Sequence, residues 1–342
     1  MLSRTGVSGY IGGDVLYGLS KSNLASSIVA LVRNEARAGR VIEKYPSVTP
    51  LIGDLDSTAA IQNEASEADV ILHLASSNHF PSAKAIAEGL SKTRRKNPVW
   101  IQISGASLLS GPEISNNAYG EARPKVYNDL EGVGEVRDII ASNPKRAVDN
   151  LVMGLSADQP VVRTAIVYGP MIYGLGRGPV NQRSIQIPDL AKAILQHGHG
   201  VHVGKGNSIW SNVHVSDISR LILMLVAEAS NLSGGSLWNE QGIYFPETGK
   251  LSFKEIGSKV ASFAYSKGFI ESAHVEAIDS DTADRLTAHG AVLWGTNAQT
   301  SGRRARQLVG WNPEGPTLHE EILRVTLAEV AAQQNTSSLK LA

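Results

Sequence analysis

The chain contains no cysteine, and that single absence closes off several chemistries. Disulfides, thiolate zinc sites, cysteine-ligated iron–sulfur clusters and cysteine nucleophiles are all excluded. Net charge is missing as well: 32 basic and 32 acidic side chains cancel among 342 residues. A neutral chain has no electrostatic pull toward nucleic acid or an anionic membrane, so neither is an expected partner. No run approaches the roughly 20 apolar residues of a membrane span. Glycines and polar residues interrupt the start, which does not read as a signal peptide. No Gly-x-Ser-x-Gly elbow is present, so a hydrolase of that type has no nucleophile. A cytoplasmic protein acting on a small molecule is the default expectation.

The composition is that of a globular protein, 42% hydrophobic and 19% charged, with length for one large domain or two interleaved ones. Continuous apolar runs stand at Ile28–Val32, Val70–Ala75, Val99–Ser104 and Val161–Val167. Strands buried on both faces need such runs. Helical stretches fall between them, at 12–20, 57–65, 82–94 and 144–157. This alternation predicts an α/β fold: a Rossmann-type doubly wound parallel sheet with right-handed crossovers. The dinucleotide-binding part is expected over 1–169. A smaller, mostly C-terminal substrate-binding region follows over 170–342, with 206–240 returning to the sheet. Residues 174–180 read as a glycine-rich loop, and helices are expected at 187–195, 217–229, 252–266 and 317–332. Thr317 with Glu320 has the spacing of a capping box. Residues 333–342 read as a frayed tail.

The most informative segment is Thr5-Gly6-Val7-Ser8-Gly9-Tyr10-Ile11-Gly12. Gly6 permits a tight turn, Gly9 lets backbone amides approach a pyrophosphate, and Gly12 lets the following helix pack against its strand. The helix N-terminus adds unpaired N–H groups and positive potential. A glycine pattern alone is a weak signal and can be a structural turn. Here it opens a helix, and an apolar strand ends about 20 residues later, which is the context the motif requires. Only four residues precede Thr5, so the first strand is expected to be a stub, or the chain begins late. The second strand ends at Arg33, with Arg37 and Arg40 close behind. An acidic residue there would bind a ribose 2′-hydroxyl, whereas arginine suits a 2′-phosphate. NADP(H) is therefore favoured over NAD(H); a solvated basic face is the plain alternative.

Six segments taken in order resemble the extended and atypical short-chain dehydrogenases/reductases, the NAD-dependent epimerase/dehydratase family. The glycine loop resembles the family's cofactor loop, including Ser8, Tyr10 and Ile11. Gly53-Asp54-Leu55 resembles the segment that contacts adenine. His73-Leu74-Ala75-Ser76 resembles the loop beside the cofactor, and Tyr168-Gly169-Pro170 the loop near the nicotinamide. The segment from Trp210 to Asp217 resembles the return from the substrate region, and Arg306 to Pro313 a C-terminal Gly-Trp-x-Pro segment. The resemblance spans nearly the whole chain and implies an oxidoreductase or epimerase/dehydratase acting on a small organic carbonyl or alcohol. Relatives often dimerise, so a homodimer is an expectation of the same kind.

The family's chemistry uses a tyrosine, a lysine four residues later and a serine or threonine. The lysine falls on Lys145, but the tyrosine position is Ala141. Tyr127 is the alternative acid/base if its segment swings into the site. The hydroxyl role falls to Ser107 or Ser104. If the proton-transfer machinery is instead lost, the chain is an NADP(H)-binding regulatory protein or a non-redox isomerase or cyclase. On the substrate side, Tyr173, Arg177, Asn181 and Arg183 crowd the loop after the sixth strand, with Trp210 grouped beside them. The two arginines could clamp an anion or simply face solvent. His197, His199, His202 and His214 have no accompanying carboxylate of the usual kind, and no metal is expected. Ser216 or Asp217 is the expected N-terminal residue of the helix after His214.

Overall fold

The computed structural model describes residues 2–231 and 235–340, the side chains of 336–340 excepted. The first half alternates strand and helix: β1 Leu2–Thr5, α1 Tyr10–Ser20, β2 Ile28–Val32, α2 Glu35–Lys44, β3 Val48–Ile52, α3 Thr58–Glu67, β4 Val70–His73, α4 Phe80–Ser91 and β5 Val99–Gly105. A short helix α5 (Gly111–Asn116), strand β6 (Val126–Asn128), α6 (Val133–Ala141) and α7 (Ala147–Asp158) lead to β7 (Arg163–Gly169). Seven strands form one sheet in the order β11-β7-β5-β4-β1-β2-β3, where β11 is Ile243–Tyr244. Every pairing in it is parallel. The chain order reverses between β1 and β4, which opens a crevice beyond their carboxyl ends.

The apolar runs form this sheet because both of its faces are covered. All four residues of β4 are buried, as are the first six of β5 and the last six of β7. The first strand is four residues long and is paired on both sides. Leu2 pairs with Ile28 on one side and Val70 on the other, so four residues are held by two neighbours.

After β7 the chain builds a smaller region. Strand β8 (Met171–Tyr173) joins β10 (Ile209–His214) and β12 (Gly249–Ser252) in a second sheet. Strand β9 (Gly200–Val203) pairs with β13 (Val275–Ile278), and β14 (Gln299–Ser301) with β6. Helices α8 (Gln186–His197), α9 (Val215–Glu228), α10 (Phe253–Ser266), α11 (Ser280–Leu286), α12 (Gly290–Gly295) and α13 (Leu318–Lys340) complete it. Segment 206–240 supplies α9, which packs on α1; the strand that joins the large sheet, β11, follows it. The Thr317 amide and hydroxyl donate to Glu320 at 2.7 and 2.9 Å, so the sequence signal for this helix start is realised. The backbone stays helical to Lys340, beyond the expected fraying point at 333. His214, rather than Ser216 or Asp217, caps α9: its Nδ1 accepts the Ser216 amide.

Residues 174–184 form a strap across the start of α1. Tyr10 Oη donates to the Gly174 carbonyl at 2.6 Å, and the Asn181 amide to the Ser8 carbonyl at 3.3 Å. A Cβ on Gly13 would lie 2.9 Å from Gly178 Cα, so the two backbones meet without side chains between them. Arg177 grips the fully buried Asp14 through Nη2 at 2.6 Å, Nε at 3.0 Å and its own amide at 2.9 Å. Removing one partner of such a pair leaves an uncompensated buried charge. Arg177→Met should therefore cost about 3 kcal/mol, and adding Asp14→Asn should recover much of that loss. Urea midpoints of the three proteins check this; equal midpoints for wild type and Arg177→Met would refute the clamp.

Candidate functional site

The site is built first from glycine. Gly6 has φ +85°, a left-handed conformation that disfavours a side chain. A Cβ there would stand 2.7 Å from the Leu74 carbonyl carbon and 2.8 Å from the Ala75 nitrogen. A Cβ on Gly12 would stand 2.1 Å from the Gly6 carbonyl oxygen, so α1 can seat on the loop only through glycine. Beneath it, the buried Arg4 Nη2 donates to the Gly12 carbonyl at 2.7 Å. Helix α1 begins after Gly9 with no side-chain cap and no acidic residue in its first turn. Its first amides thus retain both hydrogen-bonding capacity and positive potential.

This cradle opens into a cleft of about 560 Å³. Gly6, Ser8, Gly9, Arg33, Asp54, Leu55, Leu74, Ala75 and Asn181 line it, as do Arg37 and His79. The segments expected at a pyrophosphate, an adenine and a strand-end ribose site therefore meet in one place. These features fit a dinucleotide: a glycine cradle with no room for Cβ, an uncapped helix N-terminus and a long cleft across the crevice. Arg37 Nη1 donates to Ser8 Oγ at 3.2 Å, while Arg33 is exposed and Arg40 lies outside the lining. Asp54 is tied up locally, accepting the Asp56 and Ser57 amides at 3.0 and 3.1 Å.

A polar chain floors the cleft. The fully buried His73 bonds Thr5 Oγ1 through Nδ1 at 2.6 Å and Ser82 Oγ through Nε2 at 3.1 Å. Ser82 Oγ donates to the His79 carbonyl, so it accepts from Nε2–H and leaves Nδ1 to accept from Thr5. Burial, helped by His79, pushes the His73 imidazole down to about 4, so it stays neutral.

At the carboxyl ends of β5 and β7 a second cluster forms. Ser104 Oγ donates to Asp149 Oδ2 at 3.0 Å, and Arg146 Nη2 donates to Ser107 Oγ at 3.1 Å. Arg146 Nη1 stands 3.9 Å from Asp149 Oδ2. The Tyr168 ring is fully buried and packs on Phe245 at 5.7 Å; its hydroxyl lies beside the Asp149 carboxyl and makes no other hydrogen bond among the described residues. Burial first, then the neighbouring Asp149 charge, raises the Tyr168 phenol well above its usual range. Ser104 and Ser107 are thus brought together through α7, by two residues that the family pattern does not single out. Asp149 has a signal in the sequence: a carboxylate among Val148, Val152 and Leu155, on the apolar face of a helix.

Other expected residues are placed elsewhere. Tyr127 is not on a free segment. It sits in β6, only 6% exposed, and its hydroxyl accepts from Arg123, which also pairs with Glu113. Lys145 is exposed in a one-turn 3₁₀ segment, so Arg146 occupies the inward position instead. Tyr168 and Gly169 end β7 inside the core rather than lying on a loop, and Pro170 is buried after them. Tyr10, Ile11 and Ser76 do not line the cleft: Tyr10 holds the strap, Ile11 packs on the core, and Ser76 Oγ accepts the Asn78 amide. On the substrate side, Tyr173 donates to the Pro316 carbonyl and Trp210 Nε1 to the Thr296 carbonyl, both buried. Arg177 and Arg183 are not free anion clamps. Arg183 pairs with Asp189 of α8 and with the buried Glu329 of α13, each at 2.8 Å. Among the described residues no three metal-ligating side chains converge, and no helix is long and apolar enough to cross a membrane.

Two outcomes follow from this placement. Burial raises the Asp149 carboxyl to about 6, against the opposing pull of Arg146 and Ser104. Its unfolded value is near 3.9, so the folded state binds this proton more tightly. The group therefore costs stability above about pH 6 and ceases to do so below about pH 4. Lowering the pH through that window should stabilise wild type relative to Asp149→Asn by roughly 3 kcal/mol, read from urea midpoints. Parallel pH profiles would refute it. Tyr127→Phe should leave turnover intact and cost about 1 kcal/mol of stability, since it removes one hydrogen bond to Arg123. Steady-state rates beside a thermal melt check that.

The comparisons with known proteins agree with the geometry. No family model matches the chain. The oxidase ucsJ of an Acremonium species is 33% identical over 346 residues, covering 98% of both proteins. Among solved structures, the UDP-glucuronic acid 4-epimerase of Bacillus cereus with UDP-glucuronic acid and NAD matches at TM-score 0.65 and 16% identity, over 97% of this chain and 99% of that one. The UDP-glucose 4-epimerase of Thermotoga maritima with UDP-glucose matches at 0.63 and 13%, with the same coverage. DesIV, a dTDP-glucose 4,6-dehydratase of Streptomyces venezuelae with NAD bound, matches at 0.65 and 15%, over 95% of each. The chain belongs to the same family as ucsJ, on the NAD-dependent epimerase/dehydratase fold of the extended short-chain dehydrogenases/reductases.

Proposed function

We propose that this protein is an NADP(H)-dependent oxidoreductase acting on a small organic carbonyl or alcohol. The observation that carries the cofactor preference is the basic rim where β2 leaves the sheet. Arg33 and Arg37 both line the cleft, and no carboxylate occupies the strand end. A ribose 2′-phosphate needs planar cationic donors there, and a carboxylate would repel it. The solved neighbours DesIV and the Bacillus cereus epimerase hold NAD, so this reading departs from them on charge.

A bound nicotinamide dinucleotide supplies hydride chemistry. The chain's own part is to hold and orient. The glycine cradle and the α1 amides would hold the pyrophosphate, and Arg33 and Arg37 the 2′-phosphate. Ser107, fixed by Arg146, is the hydroxyl that would hold a substrate oxygen. Asp149 and Ser104 stand behind it as the buried acid and its hydrogen-bond partner. This assignment replaces the usual tyrosine–lysine pair, because the lysine position is turned to solvent and the tyrosine position is Ala141.

That same replacement supports a second reading, a non-redox isomerase or cyclase, or a sensor of NADP(H), on this fold. Nicotinamide absorbance on mixing with candidate carbonyls separates the readings. For the cofactor, Arg33→Ala with Arg37→Ala should weaken NADPH binding by about 10- to 100-fold, the scale of charge-assisted hydrogen bonds, and change NADH binding little. Fluorescence titration of both dinucleotides checks this. NADH binding tighter than NADPH in wild type would overturn the preference.

A further inference from the structure

The strap 174–184 has two sides. Val180 and Asn181 face the dinucleotide cleft. Gly174, Leu175 and Ser184 face a second cleft of about 480 Å³, closed by Pro188 of α8 and by one side of α13. This volume lies within the ordinary range for small-molecule sites. Its walls are largely apolar, with Leu175, Pro188, Val325 and Ala328 contributing. Leu175 is 70% exposed, a large apolar side chain left at the mouth.

The charges around this cleft cancel within the protein. Arg183 pairs with Asp189 and Glu329, and Arg324 with Glu321 at 2.7 Å. No unpaired cation remains among its described lining residues to meet a phosphate or carboxylate. Neutral polar groups do remain, among them Gln182, whose Nε2 donates to the Gly178 carbonyl, and two buried side chains. His214 Nδ1 accepts the Ser216 amide, so in the neutral imidazole the proton sits on Nε2. Burial holds that imidazole below its usual value, despite nearby carboxylates. Nε2 itself has no hydrogen-bond partner among the described residues; it stands against Gly174, where a Cβ would lie 2.1 Å away. Ser184, 4% exposed, has an Oγ that lies beside the Tyr10 hydroxyl and makes no other hydrogen bond among the described residues.

We propose that this second cleft binds an uncharged, mostly apolar organic molecule whose hydroxyl or carbonyl oxygen is recognised by His214 and Ser184. The charge balance distinguishes it from a nucleotide-sugar site, since a diphosphate desolvated there would meet only cations already spent on carboxylates. The proposal concerns binding and does not depend on which dinucleotide the other cleft prefers.

The test is Nile red, a neutral apolar dye with a carbonyl oxygen, titrated into the full chain by fluorescence. Wild type should take it up saturably with a blue-shifted emission. Ala328→Trp fills the cleft from an exposed helix position, and Leu175→Glu puts a charge at its mouth. Each should weaken dye binding by at least about tenfold while NADPH binding stays within about twofold, and UDP-glucose should not displace the dye. No uptake by wild type, equal uptake by both variants, or displacement by UDP-glucose would overturn the proposal. Failure of NADPH to bind, with dye binding intact, would instead count against the dinucleotide reading alone.

Discussion

Three backbone segments meet around Gly6 with nothing between them. The turn after β1, the Leu74–Ala75 peptide after β4 and the first turn of α1 approach so closely that a Cβ on Gly6 or Gly12 would fall inside a neighbour's atoms. This contact lies at the point where the sheet's chain order reverses, and it sets the height at which α1 meets the crevice. The cleft exists because α1 can sit that low. Its helix amides open toward the cleft because no side chain caps them. Arg4 supports the arrangement from below, with burial lowering its guanidinium to about 9. A buried arginine that donates to the Gly12 carbonyl ties the loop's third glycine to β1.

The same contact explains why so many arginines are unavailable for ligands. A helix seated this deeply carries the fully buried Asp14 inward, and an isolated carboxylate there would be costly. Arg177 neutralises it, and in doing so fastens the strap over α1. At the strap's other end Arg183 is held by Asp189 and Glu329. The strap is therefore a wall fixed by ion pairs, with a basic-rimmed dinucleotide cleft on one side and a charge-balanced apolar cleft on the other. Two ligands of opposite polarity can be addressed by one loop because its cations are consumed internally.

Much of this was legible in the sequence, and the reason is local. The strands of the large sheet declare themselves as apolar runs, and the glycine loop by spacing that only close backbone approach requires. The helix start at Thr317 shows in two residues. What escaped are pairings across long separations. Arg177 and Asp14 lie 163 residues apart, and Arg183 and Glu329 146 apart; no spacing rule links them. From the sequence alone an arginine on a loop reads as a substrate clamp, because its partner is invisible. Tyr127 failed for a related reason. A tyrosine in a polar segment looks mobile until β14, arriving more than 170 residues later, pairs with it and turns the segment into a buried strand.

The missing tyrosine–lysine pair also has a physical reading. In the family pattern a lysine lowers the pKa of an exposed tyrosine, a charge effect between neighbours on one helix face. Here that turn of chain is a 3₁₀ segment behind Pro144, which rotates Lys145 outward and Arg146 inward. An arginine keeps its charge at neutral pH, and it can fix a hydroxyl and neutralise a carboxylate at once. Arg146 does both, toward Ser107 and Asp149. The titratable group of this region is thus a buried carboxyl raised to about 6, in place of a phenol lowered from 10. On the proposed reading, both devices bring a proton donor toward neutral pH, from opposite sides and by opposite means: burial raises the acid here, whereas charge lowers the phenol in the family pattern.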